Sequence, residues 1–113
     1  THNVIAVGTD DNDIVTAINR VIEMEGGLTA VSKGQIHASQ SLTLGGIISI
    51  APIQEIIRNM TRLESYARDL GCELDRPFMV LSFQSSASIP KLKLSTKGLI
   101  DVDSMKTVPL IAN

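Results

Sequence analysis

Seven apolar residues, Ile53, Ile56, Ile57, Met60, Leu63, Ala67 and Leu70, recur three or four positions apart over about five helical turns, and Gly71 then breaks the pattern. A helix with one apolar stripe of that length must lay it against other apolar surface. In a chain of 113 residues, which fits one domain of ordinary length, shorter elements nearby must supply that surface. A second helix is predicted earlier, where Ile14, Ala17, Ile18, Val21 and Ile22 share one face. Asp10, Asp11, Asn12 and Asp13 offer oxygens and negative charge to its N-terminus, and Gly26-Gly27 is expected to end it in the left-handed conformation. Pro52 is expected to open the longer helix at its first position, with Ser49 as the nearest capping residue.

The remaining apolar runs read as strands. Asn3 to Thr9 is short, β-branched and apolar at nearly every position, which predicts a strand in the centre of a sheet. Leu28 to Ser32 and Gln35 to Leu44 form a hairpin joined at Lys33-Gly34. Phe78 to Phe83, introduced by Pro77, predicts another buried strand, and polar Gln84 to Ser88 a loop. After Pro90, the segments around Leu92-Leu94 and Leu99-Val102 bracket a turn at Ser95 to Gly98, and alternating Lys91 and Lys93 are expected on an exposed strand face. The predicted fold class is α+β: one two-layer domain over residues 1–113, with a mixed sheet of about five or six strands and two amphipathic helices on one face.

Composition narrows the function. Hydrophobic residues make up 43% of the chain, enough for a compact core, whereas aromatics make up 3%, too few for stacking on nucleic-acid bases. A net charge of -2 supplies no field for a phosphate backbone, so no nucleic-acid partner is expected. No apolar run reaches the about 18 residues of a membrane helix, so no membrane partner is expected. The single Cys72 has no disulfide mate, which suggests a reducing, cytoplasmic setting. Thr1-His2-Asn3 in place of an initiating methionine suggests a piece of a larger protein.

No motif completes a catalytic site. His2 and His37 stand apart from any Asp, Glu or Cys at metal-ligand spacing, and a packing role is expected for His37. Asp10, Asp11 and Asp13 lack the glycine and glutamate of a calcium loop, and helix capping explains them better. Val7 to Asn12 lies where a dinucleotide loop would lie, but one glycine and its acids repel phosphate. Ser82, Ser85, Ser86 and Ser88 have no glycine elbow or nearby histidine, and Cys72 has no basic neighbour in sequence, so a packing role is expected for it.

Cys72 to Phe83, Ile89 to Val102, His2 to Thr9 and Gly26-Gly27 together resemble the C-terminal domain of bacterial adenine deaminases, over nearly the whole chain. The resemblance implies an accessory domain of a metal-dependent amidohydrolase that converts adenine to hypoxanthine and ammonia in purine salvage. It places the site, with a divalent metal (manganese or iron) that activates water, in a preceding (β/α)-barrel. Neither a catalytic residue nor a metal or other cofactor is then expected in this chain. Its partners are expected to be that barrel and, as a homo-oligomer, further copies. His2, Asn3, Ser82 and Phe83 are the candidates to face the active site or domain junction. Asp10, Gly26, Gly27, Gly34, Gly71, Pro77, Pro90 and Gly98 are the expected turns and caps. Two positions depart from the family pattern: polar Gln84 to Ser88 replaces an apolar stretch, and Ser49-Ile50 replaces Ser-Asp. A non-catalytic binding or oligomerisation module derived from this domain is the alternative.

Overall fold

The computed structural model describes residues 3–112, and their element order confirms an α+β chain of three helices and five strands. The strands form two small antiparallel sheets in place of the expected mixed sheet, and the residues divide into two compact units, 6–78 and 79–112 with 3–5.

In the first unit, α1 (Asp11–Glu23) is capped by Asp10, whose carboxylate accepts from Asp13 N at 3.0 Å. Its far end shows a correction. Glu25, not glycine, takes the left-handed position (φ 56°), with Glu25 N and Gly26 N donating to Ile22 O and Val21 O. Gly26 and Gly27 are needed for close approach: a Cβ on Gly26 would stand 2.3 Å from Gly46 Cα, and one on Gly27 2.4 Å from Gln40 O. The hairpin of β1 (Gly27–Ser32) and β2 (Gln35–Ser41) turns through Lys33 and Gly34, both at positive φ, as a tight turn between twisted strands requires. Asp13 clips that turn to α1, accepting from Lys33 N at 3.0 Å and Gly34 N at 2.7 Å.

Helix α2 (Ile53–Asp69) starts one residue after Pro52, which sits at the cap and makes no side-chain capping bond. Ser49 Oγ accepts instead from Ala51 N at 3.2 Å. Gly71, at φ 96°, ends α2 in a Schellman arrangement, with Gly71 N donating to Arg68 O and Cys72 N to Ala67 O. Both helices pack on the hairpin. The core there is small: Ala30, Ala38 and the fully buried Leu63, flanked by Leu28, Met60, Tyr66 and Phe78. The two apolar stripes are thus only partly covered, and Ile22, Ile53, Ile57 and Leu70 are exposed.

Two expected strands do not form. Residues 3–9 have no ladder partner among the described residues, and Val4 and Val7 are exposed. Residues Pro77–Phe83 form a short helix, α3. Proline at a helix start leaves no N–H unsatisfied, and the run has a single β-branched residue, Val80, so its strand preference is weak.

The second unit carries β3 (Leu92–Ser95), β4 (Gly98–Asp101) and β5 (Lys106–Val108), in that order across the sheet. Pro90 lies in the bend before β3, and Gly98 opens β4 at φ 112° after the expected turn. The polar segment 84–88 is a turn that serves β3: Gln84 O accepts from Leu94 N at 2.8 Å. Lys93 overturns the expected exposed face, since it is 8% exposed and its Nζ donates to Pro90 O and Leu92 O at 3.2 and 3.1 Å.

Candidate functional site

A groove of about 460 Å³ lies in the first unit between α1, the end of β2 and the start of α2. Its floor follows from strand alternation. Ala38 and Gln40 point the same way from β2, so the face that buries Ala38 buries Gln40, which is 4% exposed. A buried amide needs partners, and this one has them: Gln40 Nε2 donates to Ser41 O at 2.8 Å and Ser49 Oγ at 3.2 Å, while its Oε1 accepts from Asn59 Nδ2 at 3.0 Å. The network ties β2, the segment before α2 and α2 itself into one floor. At the rim, Arg20 Nη1 donates to Glu23 Oε2 at 3.3 Å, but its buried Nε has no acceptor. Glu55, Met24, Thr43 and the exposed Ile50 also line it.

Chemically the groove offers hydrogen-bonding groups, the Arg20 guanidinium and the Glu55 carboxylate; no hydrogen bond among the described residues pairs a nucleophile with a base there. His37, the histidine among the described residues, is engaged elsewhere: its Nε2 lies 3.3 Å from Ser32 O and its ring 4.9 Å from the Tyr66 ring centroid. No three His, Cys, Asp or Glu side chains among the described residues are grouped to hold a metal ion.

The sequence-derived candidates lie elsewhere. His2 falls outside the described residues. Asn3 is exposed and belongs, by position, to the second unit together with Ser82 and Phe83. On α3, Ser82 Oγ donates to Met79 O at 2.7 Å, and Phe83 is exposed. Arg20, Gln40 and Asn59 were not singled out from the sequence. The available signal was Gln40, two residues after Ala38 on a strand whose inward positions should be apolar.

The family model for the adenine deaminase C-terminal domain matches residues 1–106. The chain belongs to that family. It is 40% identical to an adenine deaminase of Dehalococcoides mccartyi over 108 residues, which is 96% of this chain and 19% of the relative. It is 39% identical to an adenine deaminase of Archaeoglobus fulgidus over 112 residues (99% and 20%) and 39% identical to one of Brucella abortus over 107 residues (95% and 18%). This adenine deaminase C-terminal domain therefore spans about a fifth of the length of the curated relatives it matches. No helix among its described residues is long and apolar enough to cross a membrane.

Proposed function

We propose that the chain is the single C-terminal accessory domain of an adenine deaminase whose catalytic residues and divalent metal, manganese or iron, lie in a separate barrel of the same polypeptide. One observation carries the reading: 95–99% of the chain aligns to only 18–20% of adenine deaminases at about 40% identity. In this reading the parent hydrolyses adenine to hypoxanthine and ammonia in the cytoplasm, as a homo-oligomer serving purine salvage. The domain contributes a packing surface to the barrel. The satisfied Gln40 network supports a positioning role, because its groups are committed to holding α2, the segment before it and the hairpin together.

Assaying the full-length product of the gene tests the reading. Expected are ammonia and hypoxanthine from adenine, loss of activity on chelation, and its return with manganese or iron. Robust adenine turnover by residues 1–113 alone would overturn the division of labour, and a gene without an upstream barrel would favour the non-catalytic module. The proposal extends to His2, Asn3, Ser82 and Phe83, which would face the parent's active site or domain junction. Replacing His2 with alanine in the full-length enzyme should then lower deamination without changing its melting temperature, and wild-type kinetics would dismiss that role.

A further inference from the structure

The edge strand β3 of the second unit's sheet is inverted, with Lys93 buried and its leucines exposed, while Leu99 and Val108 on the same face as the leucines are half-buried. In register, Leu92 opposes Asp101 and Leu94 opposes Leu99, while Leu99 in turn opposes Val108. Side chains alternate across a strand, so Leu92, Leu94, Leu99 and Val108 share one face, and Lys93 with Ile100 the other. An antiparallel sheet with one face covered normally buries its apolar side and leaves its polar side in water. Here Lys93 is 8% exposed, whereas Leu92 and Leu94 are 52% and 46% exposed on the outermost strand of the sheet. Asp101 and Lys106 oppose each other at the margin of the apolar face, and Asp101 also accepts from Asp103 N at 3.1 Å and Ser104 Oγ at 2.8 Å. The Asp101 carboxylate is thus engaged within its own turn, and the rest of the face apart from Lys106 is aliphatic.

We propose that the Leu92–Leu94–Leu99–Val108 face is the docking surface of this domain, and that its occupant is an aliphatic surface of the catalytic part of the same polypeptide. The inference rests on the function proposed above and names the surface it uses. Chain length favours the occupant. Relatives carry about four-fifths of their residues outside the matched region, and a covalently attached domain acts at an effective concentration on the order of millimolar, which a second copy reaches only at high protein concentration.

Hydroxyl-radical footprinting of the full-length protein tests this, read by mass spectrometry at Leu92 and Leu94 with exposed Met105 as internal reference. Modification of the two leucines is expected to be about tenfold slower than their exposure in this chain allows, because an interface core excludes water and the radical with it, and dilution should not change it. Solvent-like rates in a full-length enzyme that deaminates adenine would overturn the docking face while leaving the proposed function intact. Protection lost on dilution would assign the face to a second copy and overturn the choice of occupant. A full-length product without a catalytic part would remove both readings. As a second arm, Leu92→Glu with Leu94→Glu in the full-length protein should speed proteolytic release of the domain, and an unchanged release rate together with solvent-like footprinting would refute the proposal.

Discussion

The two units bury opposite things. In residues 6–78 the covered positions are Ala30, Ala38, Leu63 and a fully bonded Gln40, whereas among the described residues of the other unit only Lys93 is buried and the leucines beside it face outward. The first has the makings of an independent core: apolar centre, capped helices, and a buried amide whose hydrogen bonds are made. The second has strands, register and a turn but no buried apolar side chain. Secondary structure can thus be complete where little apolar surface is buried, and the docking face proposed above is where the missing hydrophobic term would be supplied.

Substitutions can break this comparison. The largest effect is expected at Leu63, the fully buried side chain: Leu63→Ala should cost about 3 kcal/mol in denaturant unfolding, by lost transfer energy and a cavity. Leu94→Ala, at a half-exposed site, should cost under about 1 kcal/mol in the same chain; equal losses would mean that the units share one core. Next is Gly26→Ala, where the new Cβ meets the Gly46 backbone at 2.3 Å. About 2 kcal/mol or more is expected from overlap and backbone strain, compared with about 1 kcal/mol for Gly34→Ala, at φ 72° but with open space around it. Gln40→Ala strands Ser49 and Asn59 and should cost about 1–3 kcal/mol, with loss of amide-exchange protection around the start of α2. Asp10→Ala removes the α1 cap at about 1 kcal/mol, and Glu23→Ala, which breaks a half-exposed ion pair, should change the midpoint by under about 0.5 kcal/mol.

How much of this was legible differs by element. Helices α1 and α2 and the β1–β2 hairpin follow from signals carried by neighbouring residues: the Asp10 oxygen, the 3–4 spacing, Gly71, and the Lys33-Gly34 turn. Residues 3–9 and 77–83 are short apolar runs without period, and such runs take the structure that a neighbour imposes. The first finds no ladder partner among the described residues, and the second takes a helix from Pro77. The groove was invisible for a related reason. Arg20, Gln40 and Asn59 stand far apart in sequence, and only the crossing of α1, β2 and α2 brings them around one cavity.

By itself the sequence determined the α+β class, the two long helices with most of their ends, the hairpin turn and the family, because these rest on local periodicity, on side chains near their own backbone, or on residue-by-residue likeness. Tertiary structure alone decided that the sheet is split in two, that Glu25 rather than a glycine ends α1, that Gly26 and Gly27 are required by backbones passing at van der Waals distance, and that Lys93 lies inward with Leu92 and Leu94 outward. A strand's alternation is symmetric, so sequence can say that two faces differ; which face is covered depends on what packs there.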